Sequence, residues 1–351
     1  MILLKKIIKP FTLKKEAVLL DSWLYILKSM LAIAAGYFLG RMFHVTRLDM
    51  VSVLLGVMYN LEATNISAVK NGINQLLASF LGAVTTGILV YLLGVNVFTV
   101  ALGMGITLYI SIKLNYRSVS AVAIFTSIYM TQLIQVDAQG NPNILLTIRI
   151  RIFALGLGIL IAVIFNFIFS YLYYRKIVNK RLEFIKLKGL TVLKLTRDYV
   201  EAKENEMPIP YDNAFTSAFA DIESVRSSIL AMKQESVMPY NSMEKENMVL
   251  AENMATSLKV IVHLAYDLCY IKDAMNLTLT KTETKPLNEL ISALEKHDFQ
   301  HLKNEAPYDY SIASSHVPLN EAHEKARALH SLELMRIEYE RIEENIKKIR
   351  A

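Results

Sequence analysis

Residues 149–174 read RIRIFALGLGILIAVIFNFIFSYLYY, twenty-six positions whose only charged side chains, Arg149 and Arg151, stand at the start. A helix rises about 1.5 Å per residue, so this stretch can cross a hydrocarbon core of roughly 30 Å. A buried helix of a water-soluble fold seldom stays apolar for so long. The two arginines mark one end, and Tyr171, Tyr173, Tyr174, Arg175 and Lys176 mark the other. Aromatic rings followed by cations suit a membrane interface and its cytoplasmic side. The segment reads as a membrane span that joins two unlike halves.

Composition splits on either side of it. The 351 residues are 53% hydrophobic with a mean hydropathy of +0.33, more than a soluble fold of this length readily hides. Residues 1–174 carry 13 basic and 5 acidic side chains, whereas residues 175–351 carry 25 and 27. The pI near 9.1 thus comes from cations in short loops beside apolar spans, which argues against a nucleic-acid partner. Cys269 is the sole cysteine, so an intrachain disulfide and a thiol metal cluster are excluded. The expected plan is all-α: a basic cytoplasmic N-terminal segment over 1–22, a six-helix transmembrane domain over 23–174, and a cytoplasmic helical domain over 175–351.

Lysines 5, 6, 9, 14 and 15 among Ile and Leu suit a segment lying on an anionic leaflet, and no cleavable signal is expected there. The first span covers about 23–39, with Trp23 and Tyr25 at the interface, Lys28 snorkelling, and Ala32, Gly36 and Gly40 on one face for a close helix neighbour. The second, about 48–61, is short and ends in polar residues. The third covers about 73–93, and a Gly94-Val95-Asn96 turn leads to the fourth, which ends near 112. The fifth covers about 119–136. Placing the N-terminus in the cytoplasm puts twelve Lys and Arg inside against Arg41, Arg47, Arg149 and Arg151 outside. Both termini are therefore expected in the cytoplasm. Beyond residue 174 the sixth helix is expected to continue almost to Pro208, with further helices near 212–235, 242–275, 286–304 and 318–350 forming a bundle.

If spans one to three and four to six are related, the repeats are inverted in the membrane, a recurrent transporter design. A single offset aligns Asn65 with Asn141, Ala78 with Ala154, Leu81 with Leu157 and Gly82 with Gly158. The identities are few, so the 3+3 repeat stays open.

The short second span, the following EATNISAVKNGINQLLASFLGAV (62–84), the RIRIFALGLG opening of the sixth span (149–158) and the helical tail are what this chain shares with a known family. It resembles the aromatic acid exporter family, within the wider group like the fusaric acid resistance proteins. The resemblance implies a bacterial plasma-membrane exporter of small organic anions, aromatic carboxylates among them. Where the family pattern has Arg before the glycine of the third span, this chain has Gln75. The resemblance then implies a weaker anion site in the first half.

Several residues carry two readings. Arg149 and Arg151 can pair with an organic carboxylate or snorkel to the interface; snorkelling is expected of Arg149, and Arg151 is left open between the two. Asn60, Glu62 and Thr64 can line a vestibule, with Glu62 coupling protons, or merely end a helix, which is the expectation. Ser127, Thr131 and Gln135 of the fifth span can line a pathway or bond helix to helix, and the second is expected. Four histidines, His297, His301, His323 and His330, are expected to be solvated. No nucleophile elbow, triad or nucleotide loop appears, so neither an enzyme nor a cofactor is expected. The partners expected are the bilayer, a small organic anion and, through the small-residue faces, further copies of the chain. The rival is a membrane-anchored scaffold or sensor whose helical tail binds a protein, and a membrane-embedded enzyme comes third.

Overall fold

The structure, a computed structural model, describes residues 22–61, 65–114, 121–136, 142–202, 211–234, 242–275, 277, 279–302 and 323–350. Glu62, Thr64, the basic segment 1–21 and the side chain of His323 lie outside the described residues. The fold is all-helical: among the described residues the only β pairing is an isolated antiparallel bridge between Val136 and Pro142. The chain divides into two compact units, whose described parts fall within Asp21–Leu172 and Tyr173–Ala351.

The first unit holds α1 (Ser22–Met42), the single turn α2 (His44–Arg47), α3 (Met50–Asn60), α4 (Asn65–Leu93), α5 (Val97–Leu114), α6 (Ala121–Gln132) and the first part of α7 (Ile144–Glu201). Three of its helices, Trp23–Met42, Ala68–Leu93 and Ile144–Ser170, are long and apolar enough to cross a membrane. Their outward faces carry large apolar side chains, Trp23, Tyr91, Leu92 and Leu145 among the most exposed, as a lipid-facing surface requires. These features make the chain a membrane-embedded protein. The expected six spans include two short helices. With 11 and 12 residues, α3 and α6 reach only about 16–18 Å, and α6 stops at Gln132, short of the expected end near 136.

Local chemistry sets several ends. Asp49 caps α3 by accepting from Ser52 N at 3.0 Å, Asn96 accepts from Thr99 N at 2.9 Å, and Asn143 accepts from Leu146 N at 2.9 Å. Gly94, at φ +68°, makes the turn between α4 and α5, a conformation only glycine adopts freely. The small-residue face of α1 does what its spacing implies: a Cβ at Gly36 would stand 3.0 Å from Val57, and one at Gly40 3.0 Å from Met50 Sδ. Thus α1 packs directly on α3.

The second unit contains the remainder of α7, α8 (Asp212–Lys233), α9 (Ser242–Met275), α10 (Lys285–Lys296) and α11 (His323–Arg350). Buried positions on α8, Phe215, Ala218, Ile222, Val225, Ile229 and Met232, alternate at three and four residues, the stripe of a bundle helix. They meet α9 through Leu258, Ile261, Val262 and Ala265 in one continuous core with Leu332, Met335 and Ile342 of α11. By length and composition α9 also meets the membrane-crossing criterion. Its apolar face, however, is spent inside this core, and its other face carries Glu252, Lys259, Asp267 and Lys272.

Two expectations change here. Helix α10 stops at Lys296 rather than near 304, because His297 turns to an extended backbone. His297 is buried, not solvated: its Nε2 is 2.9 Å from the Tyr339 hydroxyl, which donates to Glu343 Oε1 at 2.9 Å. His301 and His330 are exposed, as expected.

Candidate functional site

Helices α3 and α7 touch backbone to backbone. A Cβ on Gly158 would stand 2.1 Å from Val53 O, and one on Gly56 would stand 2.7 Å from Leu155 O. From this crossing the sequence fixes what meets what. Asp49 lies seven residues before Gly56, and Arg151 seven before Gly158. Seven residues is close to two helical turns, so both project from the crossing face at the same level. Beyond the crossing, Asn60 meets Asn166. Partners advance together along both segments, so α3 and α7 run parallel.

At the early end Arg151 Nη1 lies 3.3 Å from Asp49 Oδ2, with side chains 1% and 0% exposed. Nη1 also donates to Ser52 Oγ, and Ser52 Oγ donates to Asp49 Oδ2. From α6, Thr126 Oγ1 accepts from Nε at 3.4 Å, and the Tyr129 ring lies 4.4 Å beneath the guanidinium carbon. The Tyr129 hydroxyl is within hydrogen-bond reach of Asp49 and Gln135. A cation buried this deeply in an apolar unit is stable only because a carboxylate, two hydroxyls and a π face surround it. Arg151 therefore does not snorkel. Arg149, exposed and stacked 5.9 Å from Phe153, has the geometry expected of an interfacial side chain.

At the other end Lys28 Nζ donates to Asn166 Oδ1 at 2.9 Å and lies 5.2 Å from the Tyr25 ring centroid. It is buried, so it too does not snorkel. Asn166 Nδ2 donates to Asn60 O at 2.7 Å, and Asn60 Nδ2 donates to Gly56 O and to Gln75 Oε1 at 2.8 and 2.6 Å. That leaves Asn60 Oδ1 and Gln75 Nε2 buried with no hydrogen-bond partner, as is Ser79 Oγ one turn along α4 from Gln75. A buried amide pair with a free acceptor and a free donor is costly unless something else meets it.

The fifth-span candidates separate. Ser127 Oγ is 2.9 Å from Thr86 Oγ1 of α4, with Gly103 of α5 close enough that its Cβ would stand 3.2 Å from Ser127 Oγ. This is helix-to-helix bonding. Thr131 donates to its own helix at Ile128 O, 2.8 Å away. Gln135 joins the Arg151 cluster only through Tyr129, and its backbone N–H donates to Thr147 Oγ1 at 2.9 Å. Among the described residues no group of His, Cys, Asp and Glu is arranged to hold a metal ion.

Sequence reasoning missed Asp49, Ser52, Thr126, Tyr129 and Asn166. Asp49 three residues before Ser52 has the spacing of an ordinary helix cap, which it also is, so nothing in that spacing points to a distant cation. Asn166 offered a signal: an amide alone in an apolar run needs a partner, and the buried lysine supplies it. No protein-family model and no curated protein matches the chain.

Proposed function

We propose that this chain is a transporter that exports small organic anions across a bacterial plasma membrane, aromatic carboxylates on the strength of the family resemblance. The observation that carries the reading is Arg151, a guanidinium 1% exposed in a membrane-embedded unit. Arginine offers a planar fork that matches a carboxylate, and a cation in a membrane domain is costly unless used. The parallel crossing of α3 and α7 leaves one polar cluster on each side of the Gly56–Gly158 contact. One holds Arg151 and Asp49; the other holds Lys28, Asn166, Asn60 and Gln75. In the second, Gln75 replaces the family's arginine, and its free N–H with the free Asn60 oxygen suits a polar group of the cargo.

In this reading six helices cross the membrane, α1, α3, α4, α5, α6 and α7, with both termini in the cytoplasm. The two short ones, α3 and α6, are second and fifth, equivalent places in a 3+3 inverted repeat, and both deliver side chains to Arg151. Broken or short spans at the cargo site are common in transporters built this way. Cells producing the protein should accumulate less of a labelled aromatic carboxylate than cells without it, and Arg151→Gln should abolish the difference. Equal accumulation across a panel of aromatic and aliphatic carboxylates, with the protein present in the membrane, would sink the reading. The bundle of the second unit, with a core of its own, favours the scaffold reading in that event; capture of a protein by full-length protein, unchanged by Arg151→Gln, would then support it.

A further inference from the structure

We infer that Asp49 is the proton-coupling group of the Arg151 site, so that one proton travels with each anion. The inference rests on the anion-transport reading. Asp49 Oδ2 holds the same Nη1 edge that an incoming carboxylate would take. With Asp49 ionised, an anion entering the site would place two negative charges on one cation in apolar surroundings, where charges interact strongly. A proton from bulk water on Asp49 removes that conflict. Neutral Asp49 keeps an oxygen for Ser52 N, and Arg151 is left with its charge free for the anion.

The neighbouring groups leave this role to Asp49. Facing it are Arg151 from α7 and Tyr129, a neutral phenol, from α6. Ser52 on its own helix and Thr126 on α6 carry no charge, and the side chains of His44 and Arg47 on α2 are exposed. Charge counting then sets the cycle. The empty site, Arg151 with ionised Asp49, has no net charge, and neither has the site holding both a proton and an anion. A site with the proton alone is +1, and a site with the anion alone is −1. Both of those are expensive in a water-excluded crossing. Only the two neutral forms reorient readily, which makes coupling obligatory. Transport is electroneutral, and its direction follows the gradient of the acid itself.

The test uses the full-length protein in detergent with benzoate as the probe, from about pH 6 to about pH 9, where a carboxylic acid stays ionised. Benzoate affinity should fall by about tenfold per pH unit, with about one proton taken up from weakly buffered solution per benzoate bound. Asp49→Asn keeps a side chain that caps helices as well as Asp, and it should bind benzoate independently of pH with no proton uptake. In liposomes, benzoate flux should be insensitive to an imposed membrane potential. Wild-type binding that is independent of pH and takes up no proton overturns the coupling while the transport reading stands. Benzoate binding at no pH, by a wild-type protein that is folded and monodisperse, overturns both. A pH dependence that survives in Asp49→Asn also overturns the assignment. Proton uptake by the wild type decides the matter if that variant does not fold.

Discussion

Among the described residues of Asp21–Leu172, the buried side chains other than glycine and proline are seventeen polar or charged and sixteen hydrophobic; in Tyr173–Ala351 they are ten and forty-three. Large exposed hydrophobic side chains run the other way, forty in the first unit and four in the second. One chain thus folds against two solvents. In water the bundle hides Leu, Ile and Phe and displays most of its ion pairs, Lys186–Glu183 being a buried one. In lipid the apolar side chains are already at home, so specificity inside the first unit falls to hydroxyls, amides, glycines and the buried Arg151–Asp49 ion pair. The lesson is that the same substitution should cost different amounts in the two units.

Charge removal gives the widest gap. Asp49→Ala strands the buried Arg151 and should cost about 3–5 kcal/mol. In the bundle, Glu223→Ala removes a partner of Arg226 and Lys259 that is 45% exposed, which should cost no more than about 1 kcal/mol. Thermal denaturation of full-length protein in detergent checks both. Equal shifts would mean that Arg151 is hydrated and the contrast between the units is false.

Apolar truncation should reverse the ranking. Leu258→Ala empties a fully buried position of α9 and should cost about 2–5 kcal/mol. Leu92→Ala, at a position 69% exposed on α4, should stay within about 0.5 kcal/mol. A large loss at Leu92 would show that this face is covered by protein rather than lipid, and sedimentation of the solubilised protein would then show an oligomer.

Glycine separates the units a third time. Gly158→Ala drives a Cβ into the Val53 carbonyl, backbone that has nowhere to move, and should cost about 1–3 kcal/mol or more. Gly156→Ala, two residues away with open space around it, should be neutral or mildly stabilising. In the bundle Gly189 has its nearest neighbour at 3.8 Å, so Gly189→Ala should gain up to about 1 kcal/mol of helix propensity. Melting temperatures of the three variants order the predictions directly.

Legibility in the sequence follows the same division. The bundle helices were readable because alternating apolar stripes have a period: 242–275 matches α9 end to end, and α8 differs from its expected range by two residues. The boundary near 172 was readable from charge. The Gly94 turn and the α1 small-residue face were readable because each has a local cause. What escaped was pairing between distant segments. Nothing local tells that Asp49 meets Arg151 102 residues later, because the register comes from the Gly56–Gly158 contact, and glycine has no side chain to announce its neighbour. His297 escaped for a related reason: its exposure depends on α10 ending at Lys296, and no Gly or Pro marks that end.

The weakest expected effect tests the water-facing side of the comparison. Arg226 and Lys259 hold the Glu223 carboxyl down to about 2 from its ordinary 4.5, mainly through their hydrogen bonds. A carboxyl whose folded value is depressed adds stability that is present above its unfolded value and is lost as pH falls toward the folded one. The window therefore runs downward from about pH 4.5 to about pH 2, and solvent screening limits the loss to at most about 1 kcal/mol. Cys269 provides the readout. It is the sole cysteine, and burial in α9 pushes its thiol up to about 12, so it reacts only when the bundle opens. Urea midpoints read by labelling Cys269 with a dipyridyl disulfide, which works in acid, should fall more between pH 5 and pH 2 in the wild type than in Glu223→Gln. Identical slopes would mean that this ion pair is fully screened and that the bundle's surface charges leave its stability to the apolar core alone.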